Sequence, residues 1–208
     1  MLVFFLVNVY NIFMITCVLL SAGFSRRFGS PKALALLNGK TVLEHVETML
    51  VETKIDEIIV VLGAHAEEIK PYLLKHTKLK FVYNKDYNLG QTSSFKAGLQ
   101  NISKDAQGIL LLPVDYPLVQ KETIDHLIRH FWDHSPFIVV PAFDQKKGHP
   151  PLFSVRLKHE FLALDNECGL NVIAHAHEKE TIILPVKDPG VIRTFNTPEE
   201  FQAIRNSL

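Results

Sequence analysis

Residues 12–19 form an apolar run that ends abruptly in Leu20-Ser-Ala-Gly-Phe-Ser-Arg-Arg-Phe-Gly-Ser-Pro-Lys32. The run reads as a buried strand, and the small and cationic residues after it read as a turn. Strand-like and helix-like stretches then alternate, which is the signature of a parallel sheet covered by helices. A helix is expected over 41–52, with Val42, Val46, Met49 and Leu50 on one face and Thr41 and Glu44 forming a capping box. A strand follows over 57–62, then a short helix over 66–75 that Pro71 must kink or split. Further strands are expected over 79–83, 108–114, 137–141, 151–155 and 181–186. Further helices are expected over 91–101, 121–133 and 197–206, the last with Thr197 as its cap and Pro198 in its first turn. The predicted fold is α/β: a single-domain, Rossmann-like three-layer sandwich around a mostly parallel, doubly wound sheet.

With 208 residues and no repeat, low-complexity tract or Pro/Gly/Ser linker, one well-buried domain is the economical organisation. Lys plus Arg and Asp plus Glu number 22 each, so no global field draws the chain to nucleic acid or an anionic membrane. Affinity for phosphate must be local. Cys17 and Cys168 make neither a disulfide framework nor a paired zinc spacing and fit a reducing, cytoplasmic setting. The first 20 residues carry no charge, and a stretch of about that length could span a bilayer. Asn8 and Asn11 interrupt it, no cation precedes it, and its last third is the first core strand. The expectation is an apolar extension over 1–13 and a domain over 14–208 starting at Met14, with a membrane anchor as the alternative.

Ligands of open α/β sheets bind beyond the carboxyl ends of the strands. At the first such end, Gly23 and Gly29 let backbone N–H groups approach an anion, and Arg26, Arg27 and Lys32 supply charge. The spacing is not that of a P-loop, which needs Lys directly after its second Gly, and the dinucleotide fingerprint is absent. A nucleoside triphosphate is one reading, and an ordinary turn with surface cations is the other. At a second end, Asp115 follows the apolar run 109–112. It either holds a hard cation such as Mg²⁺ or caps the following loop. Gly90-Gln-Thr-Ser-Ser94 opens a helix, where polar groups could hold a base, ribose or phosphate, or where Thr92 or Ser93 simply caps. His149 lies in Gly148-His-Pro-Pro-Leu-Phe153; a lone His is more often structural. His175 and His177 are a weak metal signal, and His126, His130 and His134 read as a partly exposed helix face.

The first loop resembles L-A-A-G-x-S-x-R-x-G-x-P-K, the signature of the molybdenum-cofactor nucleotidyltransferases, and the resemblance extends over roughly residues 15–201. Ser21 stands where that family has Ala or Gly. Arg27 and Lys32 fall on its arginine and lysine, and Arg26 fills a variable slot. Ala22 and Pro31 are similar to the cytidylyl branch rather than the guanylyl branch. Asp115-Tyr-Pro117 matches the family's D-x-P, whose aspartate holds magnesium. Thr194-Phe-Asn196-Thr-Pro-Glu199 stands where the family reads D-x-D-T-P-E-D, so both aspartates are replaced. Gly90 and Ser94 match G-x-x-x-S, and Gly148, His149 and Pro150 match the G-H-P of the acceptor side.

The resemblance implies that Leu20, Ser21, Ala22, Gly23, Ser25, Arg27, Lys32, Gly90, Ser94 and Asp115 bind the nucleotide. It implies Arg27, Lys32 and Asp115 as the catalytic set, and Mg²⁺ on Asp115 and Asn196. The implied reaction moves a nucleoside monophosphate, CMP for preference, from CTP to a phosphate-bearing acceptor such as molybdopterin, releasing pyrophosphate. A molybdoenzyme or maturation factor would be the protein partner. The alternatives are guanylyl transfer, transfer to a sugar or polyol phosphate, and a cofactor carrier without transferase activity, which the Asn at 196 favours.

Overall fold

Side-chain alternation on the central strands decides the layering. A computed structural model describes residues 14–207, so the extension over 1–13 lies outside the described residues. The first strand, β1 (Met14–Ser21), sends Ile15, Cys17 and Leu19 to one face and Val18 and Leu20 to the other, all buried. A short hairpin, β2 (Leu36–Leu37) and β3 (Lys40–Thr41), leads into α1 (Val42–Val51), whose start carries the expected Thr41–Glu44 capping box. There follow β4 (Glu57–Leu62), α2 (Ala66–Ile69), β5 (Leu79–Tyr83), α3 (Gln91–Leu99), β6 (Ala106–Pro113), α4 (Lys121–His134) and β7 (Ile138–Phe143). The chain continues through β8 (Lys146–Lys147), β9 (Leu152–Ser154), α5 (Lys158–Ala163), α6 (Asn171–Ala176), β10 (Thr181–Pro185) and α7 (Pro198–Arg205).

The main sheet runs β10-β7-β9-β6-β1-β4-β5, with β8 attached to β7. Its pairs are parallel except those made by β9 with β6 and β7, and by β8 with β7. One face packs against α1, α4 and α7 through Val46, Leu50, Leu127, Phe131 and Phe201. The other packs against α3, α5 and α6 through Phe95, Phe161 and Ile173. This is the expected three-layer sandwich. Strands buried on both faces read as unbroken apolar runs, which explains why β1, β4 and β6 were visible in the sequence. Helix α3 crosses β1 closely at Gly98, where an added Cβ would come within 2.4 Å of Val18 Cγ1. That close approach brings the start of α3 to the carboxyl end of β1.

One local expectation, the split at Pro71, is met and two change. The segment 66–75 is α2 followed by a 3-10 turn over Lys70–Tyr72, because Pro71 supplies no N–H to continue an α-helix. Neither Thr92 nor Ser93 caps α3. The cap is Gly90, and Thr92 donates instead to the Cys168 carbonyl at 2.6 Å. The short helices α5 and α6 occupy a stretch for which no element was expected. Among the described residues, no helix is long and apolar enough to cross a membrane.

Candidate active site

Because β1 and β6 are parallel neighbours, the loops that leave them begin side by side, with Val114 N donating to the Leu20 carbonyl at 3.0 Å. The first loop is tied by Ser25. Its carbonyl accepts from Phe28 N and Gly29 N, and its hydroxyl accepts from Lys32 N at 3.2 Å. Ser25 sits at φ 53° and Gly29 at φ 83°, both in the left-handed region that lets a loop fold back on itself. A Cβ added at Gly23 would meet nothing within 4 Å, so this glycine borders open space and not a packed neighbour. Arg26 lies over the Phe24 ring, 4.6 Å from its centroid.

The loop places Lys32 against two distant residues. Its Nζ is 2.7 Å from Asp115 Oδ2 and 2.9 Å from Asn196 Oδ1. Arg27 donates to the same Asn196 oxygen at 3.0 Å. The Lys32 and Asp115 side chains are only 15% and 19% exposed, so their charge-assisted bond is partly shielded from solvent. Asn196 is held by α7, whose Thr197–Glu200 capping box also takes the Asn196 N–H onto the Glu200 carboxylate. Phe28 clamps the first loop to this segment through rings 5.2 Å from Phe195 and 5.6 Å from Phe201. The sequence reading missed this aromatic clamp. Its signal was Phe28 in an otherwise small and cationic loop.

Two cavities meet here. A cleft of about 260 Å³ is lined by Leu20, Ser21, Ala22, Gly23, Ser25 and Lys32 from the first loop, Gly90 and Ser94 from the start of α3, and Asp115. Every residue expected to bind nucleotide lines it except Arg27, which stands exposed at the rim. Gln91 of the expected Gly90–Ser94 segment joins them, as do Tyr87 and Asn88, unnoticed in the sequence. Gly90 adopts φ 94°, ψ −165°, a conformation essentially confined to glycine. The Ser94 hydroxyl accepts from Asn84 Nδ2 at 3.1 Å and donates to the Gly90 carbonyl. The buried Ser21 hydroxyl has no partner.

A larger cavity of about 620 Å³ lies alongside, and Gln91 lines both. Its walls are mainly apolar, including Leu111, Val140, Phe153, Leu170 and Ile183, with Lys147, Gly148, His149, His175 and Glu178 among the polar residues. Gly148 is required by packing, because an added Cβ would sit 2.3 Å from the Val191 carbonyl. The His149 N–H donates to that carbonyl at 2.8 Å, and a cis peptide joins His149 to the buried Pro150. Burial pulls the His149 pKa below the ordinary value, with the Asp115 charge acting the other way, so the ring is neutral at pH 7. Its Nδ1 is buried without a partner, and the ring lies 4.5 Å from that of Tyr116. Asp115 thus borders the polar cleft while the ring of its neighbour Tyr116 packs on His149, which lines the larger cavity.

The other histidines divide. His175 lines the large cavity, whereas His177 bonds Glu160 at 2.8 Å and stacks on Phe137. His130 and His134 stack at 4.1 Å on α4, away from both cavities. Among the described residues, no group of three or more His, Cys, Asp or Glu could hold a metal ion. The Asp115 and Asn196 oxygens, already drawn to one cation, suit Mg²⁺, which takes one or two protein oxygens and completes its shell with water and phosphate.

Residues 17–181 match the family model described as a MobA-like NTP transferase domain. A protein named probable molybdenum cofactor guanylyltransferase, from Geobacillus sp. (strain WCH70), is 30% identical over 195 residues, covering 90% of this chain and 96% of that one. Nicotine blue oxidoreductase of Paenarthrobacter nicotinovorans is 35% identical over 157 residues, covering 69% of this chain and 72% of that one. The crystal structure of Rv0371c from Mycobacterium tuberculosis H37Rv superposes with a TM-score of 0.81 at 25% identity, over 93% of this chain and 98% of that one. The structure of that protein in complex with manganese gives a TM-score of 0.77 at 25% identity, over the same shares. The chain belongs to the MobA-like NTP transferase family, the molybdenum cofactor nucleotidyltransferases on the nucleotide-diphospho-sugar transferase fold.

Proposed function

We propose that this nucleotidyltransferase moves CMP from CTP to the terminal phosphate of a molybdopterin-type acceptor and releases pyrophosphate. The observation that carries the reading is the convergence of Lys32, Asp115 and Asn196 beside a polar cleft that shares Gln91 with a larger apolar cavity. The first loop receives the triphosphate in the cleft. The acceptor body fills the cavity beside His149, and its phosphate reaches the α-phosphorus across Gln91. A phosphate nucleophile is already anionic near neutral pH, so the residues need not remove a proton. Their contribution is positioning and charge neutralisation. Arg27 and Lys32 turn from Asn196 and Asp115 to the β- and γ-phosphates. Mg²⁺ held by the Asp115 carboxylate and the Asn196 amide oxygen supplies further positive charge to the triphosphate. The catalytic unit on this reading is 14–208, working in the cytoplasm, with a molybdoenzyme or its maturation factor receiving the product.

Donor choice has two sides. Ala22 and Pro31 favour CTP, whereas the relative at 30% identity carries a guanylyltransferase name. Pyrophosphate release from CTP, GTP, ATP and UTP, each with molybdopterin and Mg²⁺, tests both. CTP should lead. A lead for GTP moves the chain to guanylyl transfer, and no release from any triphosphate sinks molybdopterin as the acceptor, leaving a sugar or polyol phosphate or a carrier role.

A further inference from the structure

Two cations meet one carboxylate and one neutral amide where the transferred nucleotide's divalent ion is expected to sit. Lys32 Nζ contacts both oxygens of the candidate ion site, at 2.7 Å from Asp115 Oδ2 and 2.9 Å from Asn196 Oδ1, and Arg27 adds a second cation to Asn196 at 3.0 Å. Lys32 is not loosely held there. Its backbone N–H is fixed by Ser25, and its ammonium lies 5.5 Å from the Phe195 ring centroid. The remaining acid nearby, Glu200, is committed to the N–H groups of Asn196 and Thr197.

The identity of residue 196 sets the balance. With an aspartate there, two carboxylates would meet the Lys32 and Arg27 cations and the charges would balance. With Asn196 the oxygen remains but the charge is absent, so Lys32 alone neutralises Asp115 and Arg27 leaves the cluster net positive. A free divalent ion approaching this cluster meets like charge, and must displace the three hydrogen bonds that occupy the Asp115 and Asn196 oxygens. A nucleoside triphosphate changes that situation. Its oxygens offer Lys32 and Arg27 stronger partners than a neutral amide, and withdrawing both cations bares the Asp115 and Asn196 oxygens.

Building on the proposed transferase reading, we infer that Lys32 fills the ion's position in the free protein, so that the site takes its divalent cation only as the metal–triphosphate complex and not as the bare ion. The role of Lys32 is then double: it stands in for the metal before the nucleotide arrives and binds phosphate afterwards.

Electron paramagnetic resonance of Mn²⁺ tests this on the full chain, by titrating the wild type, Lys32→Met and Lys32→Gln without nucleotide and with the α,β-methylene analogues of CTP and GTP. Circular dichroism checks that the variants fold, and the two substitutions back each other up. Without nucleotide, the variants should bind Mn²⁺ at least tenfold more tightly than the wild type, and adding Asp115→Asn to either should remove the gain. With an analogue, the wild type should bind Mn²⁺ readily. Equal affinity of wild type and variants for Mn²⁺ in the absence of nucleotide overturns the inference and leaves the transferase reading standing. Failure of every form to bind Mn²⁺ even with both analogues overturns the inference and the assignment of Asp115 and Asn196 as ion ligands together.

Discussion

The Lys32 ammonium and the Asp115 carboxylate, 83 positions apart in sequence, meet at 2.7 Å at the carboxyl ends of two adjacent parallel strands. Neither residue could be oriented toward the other by local structure. The sheet order does it, by setting β6 beside β1 so that both loops emerge at one edge. Removing Lys32 therefore takes a cation from the developing charge of the transferred group without dismantling the cleft. Lys32→Ala should lower kcat by about 10²- to 10³-fold, the range typical for loss of one preorganised charge donor. The KM for the triphosphate should change much less. Steady-state pyrophosphate release at varied CTP checks it, and an effect confined to KM would assign Lys32 to ground-state binding alone.

Asp115→Asn keeps the shape of the site but leaves Lys32 and Arg27 without an anion. The variant should lose most of its turnover, and its activity should need far more Mg²⁺ for half-saturation than the wild type. Titrating Mg²⁺ at saturating CTP reads this directly. A variant that is slower by the same factor at every Mg²⁺ concentration would place Asp115 outside the ion site.

The same edge explains how much could be read in advance. The buried strands announce themselves because apolar residues on both faces leave little room for ambiguity, and the two caps at Thr41 and Thr197 follow from local hydrogen bonding. The residues of the polar cleft were legible because close backbone approach and phosphate charge demand particular residue types at particular spacings. The large cavity was hardly legible. Its walls come from β7, β10, α6 and the G-H-P turn, and shape made by distant apolar residues has no local pattern. Nor did the sequence reveal the inverted β9, a three-residue strand whose direction is set only by what it pairs with. Asn196 stood out in the sequence as the replacement of a family aspartate; its oxygen, shared by Arg27 and Lys32, joins it to the site.

His149 borders the large cavity with a neutral ring and an unpartnered Nδ1. His149→Ala should raise the KM for the acceptor by about tenfold, equivalent to roughly one hydrogen bond, while the KM for CTP stays nearly constant. Its pH behaviour follows from the lowered pKa. The unfolded chain takes up the proton first, near the ordinary pKa of about 6.5. Stability from this group is thus complete above that value and is lost as pH falls below it. Denaturant midpoints of wild type and His149→Ala should converge on acidification from pH 7 to 5. Midpoints that stay a constant distance apart would show that the ring is not held neutral.

Glu47 gives a pH effect of opposite sign. Its side chain is fully buried on α1, with Oε2 accepting from Leu74 N at 2.8 Å and Oε1 without a partner. Burial raises its pKa to about 7, against the Leu74 hydrogen bond, which favours the charged form. The folded chain therefore keeps a proton that the unfolded chain releases near pH 4.5. Stability is highest below that pH and falls as pH rises toward about 7, by an amount on the order of 3 kcal/mol. Above pH 7 both states are ionised and the loss is complete. Glu47→Gln can still accept from Leu74 but never acquires the buried charge. It should be destabilising by about 1 kcal/mol at pH 4.5, the cost of one unsatisfied amide, and stabilising by about 2 kcal/mol at pH 8. Urea unfolding of both proteins from pH 4.5 to 8 gives the difference at each pH. A constant difference across that range would mean that Glu47 keeps an ordinary carboxylate pKa within the fold.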